Sequence, residues 1–240
     1  MKNLDINCDL GEGMPDEEKL MALVDSCNIA CGGHYGDKSS MRRSLKLAQK
    51  MGVKAGAHPS FMDKVNFGRE IVAIPLQELK KQLIQQIAEL NEIALSIGTS
   101  LHHVKAHGAL YNVAARSDEI GNVLIDAVVF FKQDLCIFVP YGSNLHKLVK
   151  KRRIRHWVEV FADRNYNNEL GLVSRAKSHS IINNPMEVKQ RVRKMIEDKT
   201  VIVEDGTKRD IDFDTLCVHG DHPKALELLV ELSALKKIKF

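Results

Sequence analysis

The sequence has few aromatic residues and no strong excess of charge of either sign. Phe, Trp and Tyr make up 5% of the 240 residues, and 35 basic against 31 acidic residues leave a net charge of +4. A dedicated nucleic-acid-binding protein carries a stronger basic bias on its binding face. The densest basic run, from Lys147 to Arg155, is typical of a solvated helix end, where cations are favoured. We therefore expect no nucleic-acid partner.

Long apolar runs, a leader segment and paired cysteines are also lacking. No apolar run approaches the ~20 residues that a membrane span needs. The first ten residues lack the basic and apolar parts of a signal peptide. The five cysteines are odd in number, and Cys27 and Cys31 do not have a usual zinc-ligand spacing. These features predict a cytoplasmic protein with no membrane partner, whose cysteines are reduced and buried.

Three common active-site motifs are missing as well. The chain has no GxxxxGK[ST] phosphate loop, and the glycines of residues 32–36 do not match GxGxxG. It also has no G-x-S-x-G nucleophile elbow. A serine hydrolase of that type is therefore disfavoured, and no nucleotide-binding motif is recognisable.

The chain does contain a regular alternation of short apolar segments and longer helical patterns. Short segments that suit buried parallel strands begin at Leu4, Cys27, Val53, His102, Leu135, Trp157 and Thr215. The helical patterns include a segment from Asp37 to Gly52 and an amphipathic one from Leu76 to Ile97. Seven such units in 240 residues predict one α/β domain, residues 1–240, folded as a seven-stranded parallel β/α barrel. An open doubly wound sheet is the alternative.

Two long connections and one hairpin interrupt this alternation. Residues 59–74 and 162–184 have no clear helix or strand pattern, and connections of that length are often lids or binding loops. Val201–Val203, followed by Asp205-Gly206, predicts a small hairpin before the last strand.

Polar residues gather where the predicted strands end. Six of the seven strands lead into clusters of Asp, Glu, His, Lys, Arg or Asn. The carboxyl ends of parallel strands face one rim, where barrel enzymes keep their active sites. Burying so many polar groups costs free energy unless they serve a ligand. The candidate catalytic residues are Asp9, Glu12, His58, Lys105 and His107; the candidate substrate-binding residues are Asn7, Asn28, His34, Arg69, Tyr111, Asn112, Asp163, Arg164, His219 and Asp221.

Several of these residues have an ordinary structural alternative. Asp9 and Glu12 could be a carboxylate pair for proton transfer, or Asp9 could only fix the glycine-rich turn. Lys105 could polarise a carbonyl or pair with a rim carboxylate, and Asp163-Arg164 could be an ion pair or an anion site. Histidines from four different strands predict at least one catalytic or ligating role at the rim. Whether a metal is bound is left open.

The same clusters resemble the LamB/YcsF family. The matching segments are residues 5–13, 28–32, 34–37, 56–59, 103–105, 107–112, 161–164 and 217–221. They run in order across nearly the whole chain, so the resemblance is highly specific. Gly33 stands where the family usually has Phe, Ser60 where Gly is common, and Ala106 where Pro is usual.

The resemblance implies a barrel similar to the glycoside hydrolase/deacetylase barrel. It also implies that the chain is one component of an ATP-dependent 5-oxoprolinase, which opens 5-oxoproline (pyroglutamate) to L-glutamate with ATP hydrolysis. ATP with Mg²⁺ is then the implied cofactor, and separate subunits B and C are the implied partners. Assembly into a homo-oligomer is open.

Lactam opening gives the rim residues definite roles. The reaction needs a base for water, donors for the developing oxyanion, and cations for anionic groups. Asp9 or His107 is the candidate base, and Lys105 and His58 are candidate electrostatic stabilisers. Arg69 or Arg164 is the candidate for binding anionic groups.

Two other functions remain open. The barrel analogy allows a metal-dependent deacetylase of N-acetyl sugars, with Asp9, His34 and His58 as metal ligands, although a fold likeness alone is a weak warrant. The chain could also be a non-catalytic subunit that binds the lactam while its partners do the chemistry.

Overall fold

Seven parallel strands form a closed barrel in the computed structural model, which describes residues 4–237. The strands are β1 Asp5–Leu10, β2 Ser26–Ala30, β3 Lys54–His58, β4 His103–Val104, β5 Cys136–Pro140, β6 His156–Phe161, β7 Thr200–Ile202, β8 Lys208–Asp210 and β9 Thr215–Val218. Strands β1 to β6 follow one another around the barrel, and β9 closes it between β6 and β1. The predicted barrel is confirmed, and the open sheet is wrong. β7 and β8 form the predicted antiparallel hairpin.

Helices lie between the strands along the chain. They are α1 Glu17–Met21, α2 Lys38–Met51, α3 Leu76–Ser96, α4 Gly108–Ala114, α5 Asp118–Val129, α6 Asn144–Lys151, α7 Pro185–Glu197 and α8 Ala225–Ser233, which a 3₁₀ turn, Ala234–Lys237, extends. Helix α2 has the predicted ends, because Asp37 accepts a hydrogen bond from the Ser40 amide and Gly52 stops the helix with φ 69°. The apolar face of α3, including Leu83 and Ile87, is fully buried.

Helix α4 differs from the prediction, which treats residues 105–112 as the polar end of a strand. The helix starts directly after His107, whose backbone is extended. Seven residues are too few to show helical periodicity in a sequence, so the pattern could not reveal it. The helix buries Tyr111 and leaves Asn112 exposed.

The two long connections have the predicted irregular backbone. Residues 59–74, here called the first long loop, contain turns but no helix or strand. Residues 162–184, the second long loop, contain only isolated bridges, such as that between Arg164 and Ile181. Both loops begin just after a barrel strand ends, so they lie at the carboxyl end of the barrel.

Two further predictions concern the cysteines and the membrane. All five cysteines are free and buried, as predicted. Among residues 4–237, no helix is both long enough and apolar enough to cross a membrane.

Candidate active site at the carboxyl end of the barrel

The barrel interior is lined with polar side chains that lead to its carboxyl end. Strand β1 presents every second side chain to this interior, including Asn7 and Asp9. Asn7 Nδ2 donates to Glu159 Oε1 (3.0 Å) and to Thr215 Oγ1 (2.8 Å). Asn28 Nδ2 donates to Asn7 Oδ1 and to Asp9 Oδ1, both at 2.8 Å. Asn7 therefore holds the carboxylate of Glu159 in place, and Asn28 holds that of Asp9.

Lys105 lies at the centre of this network. Its ammonium is 2.9 Å from Asp9 Oδ1, 2.9 Å from Glu159 Oε1 and 3.0 Å from Cys217 Sγ, and the side chain is 2% exposed. Burial alone would lower the pKa of Lys105, but Asp9, Cys217 and Glu159 raise it well above its usual value. Lys105 is therefore a permanent cation that pairs with carboxylates, which is the structural alternative foreseen for it.

Glu159 and Cys217 are not among the predicted site residues. Both are buried and face Lys105 from the far side of the barrel, on β6 and β9. The available signal was the position of Glu159 inside an otherwise apolar strand, where a carboxylate needs a buried cation.

Asp9 is held ionised at the edge of the same network. Burial would raise the pKa of its carboxyl, but Lys105 and His58 hold that pKa well below its usual value. In the described part of the chain, both hydrogen bonds to the Asp9 carboxylate end on Oδ1. The second oxygen accepts no hydrogen bond from the described residues, and Asp9 lines the cavity described below.

Four predicted residues from four strand ends meet next to Asp9. Glu12 Oε1 is 2.9 Å from His34 Nε2, 3.4 Å from His107 Nδ1 and 3.9 Å from His58 Nε2. His107 Nδ1 and His58 Nε2 are 3.0 Å apart, and His58 Nε2 is 3.5 Å from Asp9 Oδ1. The ring of His34 stacks on that of His107, with centroids 3.7 Å apart. Glu12, His34 and His107 form a group whose ligand atoms all lie within 4.8 Å of one another, and which could hold a metal ion.

The first long loop and the strand ends fix the orientation of two of these rings. His58 Nδ1 donates to the Lys105 carbonyl (2.8 Å), and His107 Nε2 donates to the Phe67 carbonyl (2.9 Å). The loop approaches closely at Gly68, where φ is 64° and a Cβ atom would lie 2.8 Å from His34 Cβ. Glycine is therefore required at this position.

Burial strongly perturbs the protonation of this group. Burial, followed by the neighbouring Asp9 carboxylate, raises the pKa of Glu12 to about 8. Burial, followed by His58, lowers the pKa of His34 to about 2. Burial and the rings of His34 and His58 also lower the pKa of His107 well below its usual value. Perturbation of this size in a cleft is typical of functional sites.

Of the two alternatives for Asp163-Arg164, an ion pair or an anion site, the ion pair is wrong. Asp163 accepts a hydrogen bond from His219 Nδ1 at 3.0 Å, and this histidine lowers the pKa of Asp163 to about 2 against the opposing effect of burial. Arg164 instead donates from Nε to the Ser180 carbonyl (3.1 Å) and from Nη2 to the Val173 carbonyl (2.6 Å). The register that pairs Phe161 with Cys217 also brings Asp163 close to His219, which is 56 residues away in the sequence.

Asp221 connects the two long loops. Its carboxylate pairs with Arg69 of the first loop and, at 3.6 Å, with Arg175 of the second. Arg69 and Asp221 were predicted site residues, whereas Arg175 was not. The second loop itself was the signal for Arg175, because long irregular loops over a barrel rim commonly carry binding groups.

A cavity of about 640 Å³ opens at this end of the barrel. All five predicted catalytic residues line it, and so do Arg69, Tyr111, Asn112, Arg164, His219 and Asp221. The other predicted substrate-binding residues lie behind the wall and support it: Asn7, Asn28, His34 and Asp163. Further charged lining residues, not predicted, are Glu70, Arg116, Arg175, Lys177 and Glu204. The rim therefore forms one shared cavity, as the positions of the strand ends predict.

The chain matches the model of the LamB/YcsF family over residues 4–238. It belongs to this family. The predicted resemblance is confirmed over nearly the whole chain.

Relatives in the family have similar length. The chain is 38% identical over 239 residues to a protein of Tolumonas auensis that is named as the A subunit of 5-oxoprolinase, covering 98% of this chain and 95% of that protein. It is 37% identical over 230 residues to a protein of the same name from Pyrococcus abyssi, covering 94% and 90%. The crystal structure of a lactam utilization protein from Thermus thermophilus matches with a TM-score of 0.90 and 34% identity, covering 99% of this chain and 97% of that one.

Gly33 and Ser60, two of the expected departures from the family pattern, lie next to each other. A side chain at Gly33 would overlap the side chains of Gln86 and Ser60. Gln86 occupies that space, since its Oε1 accepts from the Ser60 amide (3.0 Å) and its Nε2 donates to the Ser60 carbonyl (2.9 Å). A larger side chain at 33 would therefore require Gln86 and Ser60 to move.

The third departure, Ala106, leaves the neighbouring geometry intact. The amides on either side of it, those of Lys105 and His107, donate to the carbonyls of Ala57 and Pro59, both at 2.9 Å. No hydrogen bond from the Ala106 amide occurs within residues 4–237. A proline here would lose no bond, so the alanine is compatible with the same positions of Lys105 and His107.

Proposed function

We propose that this chain is the A subunit of a 5-oxoprolinase, in which it binds 5-oxoproline and takes part in opening the lactam to L-glutamate at the expense of ATP. The names of its relatives support this role, because proteins of similar length and 37–38% identity carry that name. The designation also implies partner subunits, which we propose to be B and C. The observation that carries the proposal is the cavity with ionised Asp9 and Lys105 in its wall and with arginines from both long loops.

The charge distribution in the cavity suits a planar lactam that carries a carboxylate. Lys105 is the cation deepest in the wall, and the outer lining residues carry more basic than acidic groups. Of the two candidate arginines, Arg164 donates from Nε and Nη2 to main-chain carbonyls and is nearly fully buried. Arg69 is partly exposed and pairs only through its terminal nitrogen with Asp221. Arg69, together with Arg175, is therefore our assignment for the substrate carboxylate or a phosphate.

Geometry favours Asp9 over His107 as the base that activates water. His107 Nε2 donates to the Phe67 carbonyl, and Nδ1 faces His58 Nε2 at 3.0 Å. Asp9 uses one oxygen for Lys105 and Asn28 and has the other free of protein hydrogen bonds within the described residues. A base must reach the proton it removes, and the free oxygen of a cavity-lining carboxylate meets that condition.

The reaction needs ATP because an amide carbonyl is a poor electrophile. In our proposal the lactam oxygen takes the γ-phosphoryl group and ADP leaves, which makes the ring carbon reactive towards water. Water bonds to that carbon while Asp9 accepts its proton, the C–N bond then breaks, and the ring nitrogen takes up a proton. A second water releases the phosphate. During these steps the Lys105 ammonium stabilises the negative charge that develops on the substrate near Asp9. Since the chain has no recognisable nucleotide motif, we assign no ATP-binding residues to it.

A reconstituted assay tests this function. Glutamate is measured from 5-oxoproline and ATP with the chain and its two partner subunits, and each component is omitted in turn. Asp9→Asn should lower kcat by ~10²–10⁴-fold, the usual contribution of a positioned base. Asp5→Asn is the matched control, because Asp5 is a buried carboxylate at the opposite end of the same strand.

The outcomes separate the alternatives. Glutamate formation that needs this chain but is unaffected by Asp9→Asn in a folded complex would make the chain a passive lactam-binding subunit. No glutamate with any combination, but release of acetate from N-acetyl sugars, would favour the deacetylase. Either result contradicts the proposal.

A further inference from the structure

The hydrogen bonds of His58 and His107 fix which ring nitrogens carry hydrogen. A carbonyl oxygen can only accept, so His58 Nδ1 and His107 Nε2, which contact the carbonyls of Lys105 and Phe67, must both be N–H donors. In neutral rings the opposite nitrogens then carry lone pairs and no hydrogen. These are His58 Nε2 and His107 Nδ1, the two atoms that face each other at 3.0 Å.

Two lone pairs at 3.0 Å repel each other, and a third acceptor adds to the conflict. Glu12 Oε1 is 3.4 Å from His107 Nδ1 and 3.9 Å from His58 Nε2. All three residues are at least nine-tenths buried, so water does not separate these atoms freely. Within residues 4–237, the donor described at this cluster is His34 Nε2–H, which bonds to Glu12 Oε1 and to neither of the two facing nitrogens. A cation among the three atoms would relieve the repulsion.

The spacing of the three atoms is close to that of the ligands of one metal ion. Metal–nitrogen and metal–oxygen bonds of ~2.0–2.2 Å place neighbouring ligand atoms about 2.9–3.5 Å apart at angles of roughly 90° to 110°. Two of the observed separations, 3.0 and 3.4 Å, lie in this range, and the third, 3.9 Å between Glu12 Oε1 and His58 Nε2, exceeds it by 0.4 Å. Each ligating histidine also donates its other N–H to a main-chain carbonyl, which is the usual support of a metal-binding imidazole.

We propose that Glu12 Oε1, His58 Nε2 and His107 Nδ1 bind one divalent transition-metal ion, with Zn²⁺ the type of ion that best suits two imidazoles and a carboxylate. His34 is a positioning residue in this site. Its Nε2–H donates to Glu12 Oε1 at 2.9 Å, and its stacking on His107 fixes that ring. All three ligands line the cavity, so a coordination position remains open towards it.

This site does not depend on the proposed reaction. Its ligands come from the ends of β1, β3 and β4, and it excludes Asp9, which hydrogen-bonds to Lys105 and Asn28 instead. It also differs from a site built from Asp9, His34 and His58.

Metal binding to the isolated chain is the test. The chain is stripped with a chelator and then titrated with Zn²⁺ by calorimetry and with Co²⁺ by visible absorption. We expect one ion per chain. Glu12→Gln, His58→Gln and His107→Gln should each raise the dissociation constant more than ~100-fold, beyond the ~10–100-fold typical for loss of an outer hydrogen-bonding partner. His219→Gln is the matched control, because His219 lines the same cavity but bonds to Asp163, and it should keep the wild-type affinity.

A second measurement needs no variant. Proton NMR of the Co²⁺-loaded chain should show two strongly shifted exchangeable signals, from the N–H groups that donate to the carbonyls of Lys105 and Phe67. Failure of the wild-type chain to retain one equivalent of either ion overturns the proposal. So does retention with unchanged affinity by the three ligand variants, or a Co²⁺ spectrum without the two shifted signals.

Discussion

Replacing Lys105 by methionine tests the account of the barrel interior most directly. Methionine has a similar length but no charge, so Lys105→Met leaves the carboxylates of Asp9 and Glu159, each 2.9 Å from the ammonium, without their buried cation. Removing one partner of a buried ion pair costs ~3–5 kcal/mol. For a protein of this size, 1 kcal/mol corresponds to roughly 2–4 °C in Tm. The variant should therefore unfold about 6–20 °C below the wild type.

The assay is thermal and urea-induced unfolding of the isolated chain, followed by circular dichroism. A second substitution, Glu159→Gln, removes one of the two stranded charges and should recover at least half of the lost stability. The matched control is Lys38→Met, since Lys38 is 77% exposed and pairs with Glu89 at 3.4 Å. Exposed pairs are worth ~0–1 kcal/mol, so this variant should unfold close to the wild type. The reasoning is refuted if Lys105→Met costs less than about 1 kcal/mol, or if the double variant is no more stable than the single one.

Two further predictions concern the rim and the family departures. His219 depresses the pKa of Asp163 to about 2. The pair therefore contributes stability above pH ~4 that is lost as the pH falls towards 2. His219→Asn should lower the free energy of unfolding by about 2 kcal/mol at pH 7 and by much less at pH 2. A deficit that stays constant with pH would show that the pair is not the cause. Gly33→Ala should cost ~1–3 kcal/mol by overlap with Gln86 and Ser60, measured by urea unfolding. An unchanged midpoint would mean that the Gln86 side chain moves away without loss.

The barrel and the shared cavity could be predicted because both follow from local patterns and chain topology. Alternating strands and helices lead to parallel strands, and parallel strands bring their carboxyl ends to one rim. For this reason Asp9, His58, His107 and His219 were placed together correctly.

The contacts between side chains could not be predicted in the same way. Lys105 meets Glu159 and Cys217 across the barrel, from strands that are not its neighbours, and these contacts depend on strand tilt and register rather than on sequence spacing. Asp163 bonds to His219 rather than to its sequence neighbour Arg164, because the pairing of β6 with β9 brings two distant parts of the chain together.

The carboxylate of Asp221 neutralises one guanidinium from each long loop, Arg69 and Arg175. An anion that binds either arginine must compete with this internal carboxylate. A negatively charged molecule that binds Arg69 or Arg175 would therefore displace the Asp221 carboxylate. Displacing it would also remove an ion pair that joins the two loops. An uncharged lactam such as 2-pyrrolidinone has the same ring but cannot replace the Asp221 carboxylate. It would therefore encounter the cavity with both ion pairs of Asp221 intact.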